Sequence, residues 1–241
     1  MTITIAHIRR YPVKGLTAES LDAVELAPGR GLPDDRRFAI ALGSTPVDGP
    51  KIEWMPKTGF LSLLRHEKLA MLRARFDGET GVLSIDRGGR QVARGKITEP
   101  IGRAMIEEFF DAYMGPEARG RPRLVEAAPD AVLSDNSTAV VSLINLASVR
   151  DLERVTGAPV DPVRFRGNLY LEGAGPWAEL GWVGREIAVG GVRLAVEQPI
   201  GRCQATNVDP ETGARDLNLP ADLKRGFGHT NMGVFTAVAA G

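Results

Sequence analysis

Residues Leu69–Lys96 read LAMLRARFDGETGVLSIDRGGRQVARGK, and this stretch decides the fold class. Three short apolar runs, Leu69–Phe76, Val82–Asp86 and Gln91–Lys96, are separated by Asp77-Gly78 and Arg87-Gly88-Gly89. Runs of that length between Gly and Asp turns predict antiparallel strands. The pattern extends upstream to Thr2–Tyr11, Leu21–Leu26 and Phe38–Leu42. It returns downstream in Asn168–Glu172, Arg185–Val189, Val192–Glu197, Gln204–Val208 and Gly233–Ala240. Regular spacing of many short strands points to a sandwich or a barrel. Gly 28 and Pro 16 in 241 residues favour frequent turns over long helices.

Helical periodicity interrupts the strands twice. In Ile101–Met114, Ile101, Met105 and Phe109 recur every four residues with Ile106, Phe110 and Tyr113 beside them, and Gly115-Pro116 stops the run. Leu146, Val149, Leu152 and Val155 predict a second helix over Leu146–Val155, ended by Gly157-Ala158-Pro159. A helical turn is expected at Ala221–Lys224. The fold class is therefore mostly β with a few helices, α+β. The polar, Pro-rich stretch Pro116–Pro122 marks a joint between a smaller N-terminal β-rich lobe, residues 1–115, and a second lobe, residues 123–241.

Composition narrows the function. Thirty Lys and Arg balance thirty Asp and Glu, so broad affinity for nucleic acid or an anionic membrane is not expected. One cysteine forbids an internal disulfide, a paired-thiolate zinc site and a four-cysteine iron–sulfur cluster. The three histidines, His7, His66 and His229, have no metal-ligand spacing. The opening MTITIAHIRR does not read as a signal peptide, and no apolar run spans a membrane, so a cytoplasmic protein is expected. Gly173-Ala-Gly-Pro-Trp-Ala178 imitates a dinucleotide fingerprint, but no βαβ unit surrounds it and it reads as a turn.

Cys203 lies in a Pro- and Gly-punctuated, polar neighbourhood, with Arg202 adjacent. A buried small hydrophobe and a thiolate serving as nucleophile or soft metal ligand are both open readings. Cations gather at strand boundaries: Lys14, Arg36 with Arg37, and Arg164 with Arg166 beside Asn168. Arginine at a strand end suits phosphate recognition. Anion-friendly corners plus one soft ligand suit a phosphate-bearing, metal-carrying cofactor.

Tyr11-Pro-Val-Lys14, Gly31-x-x-x-Asp35-Arg36-Arg37-Phe38, Val141–Leu152, Arg164-Phe-Arg-Gly-Asn168 and Gly201–Gly213 together resemble the MOSC family, in this order over nearly the whole chain. The family takes its name from the C-terminal domain of molybdenum-cofactor sulfurases. The resemblance implies a MOSC-type β-barrel domain packed with the N-terminal lobe, and a molybdenum cofactor (Mo-molybdopterin). It implies Cys203 as the protein ligand to molybdenum and as the catalytic residue. Lys14, Arg36, Arg166 and Asn168 are then cofactor-binding, with Asn145 near the cofactor. It further implies reduction of N-hydroxylated small molecules (amidoximes, hydroxylamines, N-hydroxylated bases) with electrons from a separate donor protein. The alternative is a non-catalytic carrier of the cofactor, or of sulfur on Cys203.

Three departures from the family pattern stand out. Gly15 follows Lys14 where a serine is usual, which removes a side-chain donor to the phosphate. Gly167 replaces a proline, which is expected to loosen the Arg166–Asn168 turn. The chain ends at Gly241 before the family's closing G-x-I-x-x-G-D segment, so either an open barrel edge or a shorter family tail is expected.

Overall fold

A computed structural model describes residues 2–129 and 131–240. The Leu69–Lys96 region forms a three-stranded antiparallel sheet of β5 (Leu72–Asp77), β6 (Val82–Arg87) and β7 (Arg90–Lys96), preceded in the chain by β1 (Thr4–Arg10), β2 (Glu19–Leu21), β3 (Phe38–Ala41) and β4 (Lys51–Ile52). Turn chemistry makes these hairpins. Asp77 Oδ1 accepts from the backbone N–H groups of Glu79 and Thr80, at 2.9 and 3.2 Å. Gly88 and Gly89 both take positive φ, +57° and +77°, as a two-residue hairpin loop of matching twist demands.

Helix α1 (Pro100–Met114) opens on proline, which has no N–H to leave unpaired. Its buried stripe is Gly102, Ile106, Phe110 and Met114, whereas Ile101 and Met105 are 78% and 53% exposed. The stripe is thus rotated by one residue from the periodicity expected. Gly102 is the cause: a Cβ there would lie 2.1 Å from Lys96 O, so the helix lies backbone-to-backbone on β7. Ile106 and Phe110 complete a core with Phe38, Phe76 and Leu83. A short sheet β3-β8-β4, with β8 at Arg123–Ala127, adjoins this unit.

The second sheet has seven strands in the order β11-β12-β13-β9-β10-β1-β2, where β9 is Val141–Asn145, β10 Leu169–Glu172, β11 Glu186–Val189, β12 Val192–Gly201 and β13 Asn231–Ala240. Helices α2 (Leu146–Thr156) and α3 (Leu219–Phe227) pack together, sharing a core with Phe165 and Tyr170. The α+β class holds, but the barrel does not. The three sheets are open, because β11 pairs only with β12 and the three-residue β2 only with β1.

Several strands differ from expectation. Of Leu21–Leu26 only Leu21 is paired, and Gln204–Asn207 is a 3-10 turn rather than the start of a strand. β9 carries no period-two signal because all five residues are buried, sandwiched between β13 and β10. The stretch 116–122 begins as a 3-10 turn, Gly115–Ala118, whose Ala118 is buried in the first core. Strands β1 and β2, from the segment assigned to the N-terminal lobe, hydrogen-bond into the sheet of the C-terminal half, with Ile5 opposite Leu171 and Ile8 opposite Leu169. A fragment starting at residue 123 therefore leaves the β10 edge bare and is expected to show no cooperative urea transition, whereas the full chain shows one. A cooperative transition in that fragment contradicts this interlock.

Candidate functional site

A cavity of about 520 Å3 opens where the two sheet systems meet. Its wall draws on both ends of the chain: Lys14 from the β1–β2 connection, Arg36 from the β2–β3 connection, Lys57 after β4, Asp135 from the β8–β9 connection, Arg166 before β10 and Cys203 after β12. Six cationic side chains line it (Lys14, Arg36, Lys57, Arg164, Arg166, Arg202) against two carboxylates (Asp35, Asp135). Such an excess favours an anionic ligand.

The local backbone is tightly specified. Lys14 N donates to Phe38 O (2.8 Å) and Phe38 N to Pro12 O (2.9 Å), tying the Tyr11–Leu16 segment to β3. Arg36 N donates to Tyr11 O (2.8 Å), while Asp35 Oδ1 accepts from Tyr11 N (2.7 Å). Arg36 and Arg166 both take the left-handed backbone conformation, φ +49° and +50°. Side chains with a Cβ reach that region at a cost of about 1 kcal/mol each, so packing holds them there. The two guanidiniums lie 4.5 and 4.3 Å from the Tyr11 ring centre. Arg36 Nη2 donates to Arg166 O at 2.7 Å, and Arg166 Nη1 to Leu16 O at 2.7 Å.

Their ionisation reflects this crowding. Burial, with Arg36 nearby, pushes Arg166 down to about 10. Asp35, bound directly to the Arg36 guanidinium, overcomes burial and holds Arg36 above its ordinary value. Burial lowers Lys14 despite its carboxylate partner, and Arg36 and Arg166 push the same way.

A chain of contacts runs from Lys14 to the sulfur. Lys14 Nζ donates to Leu133 O (2.9 Å) and Asp135 Oδ1 (2.7 Å). Asp135 Oδ2 accepts from Lys57 Nζ at 2.7 Å, and that Nζ stands 3.8 Å from Cys203 Sγ. Burial opposes the Asp135 charge, but the two lysines hold it well below the usual carboxylate range. Burial likewise opposes the Lys57 charge, and Asp135 with Cys203 raises it above the usual lysine value. Half-buried Cys203 heads the 3-10 turn Gln204–Asn207, its carbonyl accepting from Thr206 N and Oγ1 at 3.1 and 2.9 Å.

The structure brings Lys14, Arg36, Arg166, Asn168 and Cys203 to one cavity and leaves Asn145 out of its lining. Asn145 is fully buried and caps α2: its Oδ1 accepts from Ala147 N (3.0 Å), and its Nδ2 donates to Glu179 Oε2 (2.8 Å) and Gly175 O (2.7 Å). The family resemblance implied a place near the cofactor; the side chain of this last β9 residue instead satisfies the helix end. Asn168 reaches the wall, yet its amide is committed to Ser142 N and Oγ and to Arg9 O, bridging β9 and β1. Arg202 donates to Met232 O and Phe165 O, and Arg164 pairs with Asp209 and Asp216. Lys57, Asp135 and Trp54 are cavity residues that the sequence did not single out. Lys57 lies 146 positions before Cys203, and no spacing rule links them.

Both glycine departures have a steric basis. Gly15 has φ +84°, and a Cβ there would lie 2.9 Å from Leu61 O. Gly167 would place a Cβ 2.3 Å from Ile144 Cγ1, and its N–H donates to Tyr170 Oη at 3.1 Å, which proline cannot do. The turn is pinned, not loosened.

Residues 130–240 match the family model described as MOSC domain. Over 119 residues the chain is 31% identical to mitochondrial amidoxime-reducing component 1 of Mus musculus, covering 49% of this chain and 34% of that protein. It is 35% identical to molybdenum cofactor sulfurase of Anopheles gambiae over 124 residues, 46% of this chain and 16% of the relative. The sulfurase of Caenorhabditis elegans aligns over 229 residues at 25% identity, 92% of this chain and 31% of the relative. The chain thus matches about a third or less of these relatives' lengths.

Two expected outcomes follow from the geometry. Asn145→Ala removes a cap and one of the donors to buried Glu179, which keeps Ser148 Oγ, and should lower stability by about 1–2 kcal/mol in urea titration without changing the anion affinity of the cavity. Asp135 is ionised in the fold at pH values where the free side chain, near 3.8, protonates. Its contribution is therefore complete above that value and lost progressively as pH falls from there toward the lower folded-state value. Asp135→Asn should lower the thermal midpoint at neutral pH and flatten its fall on acidification; an unchanged acid slope contradicts the assignment.

Proposed function

We propose that this chain, whose residues 130–240 are a MOSC domain, is an oxidoreductase that reduces N-hydroxylated compounds on a molybdenum cofactor. One observation carries the reading: the lone sulfur of Cys203 lines a cavity whose charged side chains are mostly cations drawn from both ends of the chain. That donor set fits a cofactor with an anionic phosphate and a soft metal. No group of three His, Cys, Asp or Glu side chains among the described residues is arranged for a metal, so the chain offers one sulfur and the cofactor its own ligands.

When bound, the cofactor supplies the two-electron reduction that cleaves the N–O bond, with two protons consumed and water released. The protein's part is positioning. Cys203 would ligate the metal, while Lys14, Arg36 and Arg166 would hold the phosphate through charge-assisted hydrogen bonds. Lys57 would add positive charge beside the sulfur, and Trp54 with Asp135 would form the rim. Asn168 would act indirectly, fixing the backbone between Arg166 and β10. With one cysteine and no dinucleotide fingerprint, electrons would come from a separate protein. No helix among the described residues is long and apolar enough to cross a membrane.

A second reading, a carrier of cofactor or sulfur on Cys203, is favoured by the match to the sulfurase over most of this chain. Turnover separates the two. Protein from molybdate-fed cells should carry molybdenum and reduce a benzamidoxime with dithionite-reduced viologen, but not with NAD(P)H alone. Cys203→Ala should abolish turnover and metal retention with little change in unfolding free energy, whereas a core role for the thiol predicts a loss of about 1–2 kcal/mol and an unaffected site. Arg166→Ala should weaken cofactor retention by on the order of 2–3 kcal/mol. Metal-loaded protein that fails to turn over with the viologen favours the carrier.

A further inference from the structure

A second cavity, of about 380 Å3, lies behind the Gly15–Leu16 segment and does not include Cys203. Its charged lining is Arg9, Arg73, Arg164 and Arg166 against Asp161 and Glu211. Most of these charges are committed. Arg73 pairs with Glu211 at 2.7 Å, Arg164 with Asp209 and Asp216, and Asp161 Oδ1 accepts from Val163 N at 2.8 Å. Arg9 and Arg166 remain, with no carboxylate among their hydrogen-bond partners. Arg9 has a long contact from Nη1 to Ser20 Oγ, 3.4 Å, and Arg166 one bond to Leu16 O.

The unpaired donors fall in the same place. Among the described residues, the buried side-chain nitrogen or oxygen atoms without a hydrogen-bond partner are Nε of Arg9 and Nε of Arg164. Both residues line this second cavity, and the Arg164 side chain is only 3% exposed. Neither atom has accessible surface and Arg164 lines the first cavity too, so the case for a ligand rests on the terminal donors of Arg9 and Arg166, which no carboxylate occupies. The ligand's chemistry is set by the surroundings: two guanidiniums free of carboxylate partners call for an oxyanion with several acceptor oxygens.

We propose that this second cavity is a binding site for a phosphate-type oxyanion, separate from the cavity at Cys203. The site does not depend on the molybdenum reading. Free phosphate and the phosphate of a small metabolite share the required chemistry, and the volume admits either. Gly15, Leu63, Arg164, Arg166 and Ala205 line both cavities, so the two sites adjoin and share a wall.

The test uses the full-length, cofactor-free chain with inorganic phosphate and, separately, ribose 5-phosphate, followed by calorimetry. Two variants probe the second cavity alone: Arg9→Gln removes a donor, and Ala18→Glu introduces a competing carboxylate. Arg36→Gln removes a donor that lines only the first cavity, and because Arg36 also holds the Arg166 carbonyl it is read beside the Ala18→Glu variant, which leaves that contact intact. The wild type should bind two equivalents of phosphate. Each second-cavity variant should lose one equivalent or weaken it at least tenfold, while Arg36→Gln should lose the other. Thermal unfolding without phosphate confirms that each variant is folded, and Ala18→Glu covers the case in which Arg9→Gln is not. Ribose 5-phosphate binding lost in the same two variants identifies a metabolite's phosphate as an occupant; binding of inorganic phosphate alone identifies the free ion. One equivalent in the wild type, abolished by Arg36→Gln and untouched by Ala18→Glu, would overturn the second site while leaving the first intact.

Discussion

The Arg36 guanidinium donating to the Arg166 carbonyl, with both arginines packed against Tyr11, is the constraint on which the site depends. Two like charges are held close, on residues 130 positions apart, each in a backbone conformation that a side chain disfavours. Neither is comfortable alone. Asp35 supports Arg36, whereas Arg166 has no such partner and its charge is the more strained by burial. A fold that retains this arrangement has concentrated positive charge for something outside the chain to neutralise.

The sheet topology keeps that concentration in place. β1 lies between β2 and β10, so Tyr11 emerges beside the turn that carries Arg166. Asn168 reinforces the junction by bonding both Ser142 and Arg9. The N-terminal segment is therefore a structural member of the C-terminal sheet, and the cavity cannot be assembled from either half alone. Asp135 tempers the result. It bridges Lys14 and Lys57, and so links the phosphate end of the proposed site to the sulfur end through one carboxylate.

Much of this was legible in the residues wherever local chemistry acts locally. Asp77-Gly78 and Gly88-Gly89 forced the hairpins, and Gly157 ended α2 where its left-handed φ requires. Cys203, Lys14, Arg36 and Arg166 were recognisable because each sits at a strand boundary within an extended motif. What failed was tertiary. β9 hides its strand character because both faces are buried, and α1 rotates by one residue because Gly102 abuts β7. The barrel was what the family resemblance implied, and strand spacing, which suits a sandwich as well, says nothing about whether the edge strands meet. Asn145 was drawn toward the site by the family resemblance, although the capping of α2 and the buried Glu179 determine its orientation. Lys57 and Asp135 carry no local signal; they matter only because the fold brings them to Cys203 and Lys14.

The central claim is that Cys203 binds a heavy metal whose anionic cofactor is gripped by Lys14, Arg36 and Arg166. Anomalous diffraction at the molybdenum edge, from crystals of protein made in molybdate-fed cells, tests it most directly. The account predicts one strong peak at bonding distance from Cys203 Sγ, with phosphate density between the lysine and the two arginines. Cofactor-loaded protein whose anomalous peak lies away from that sulfur would contradict it.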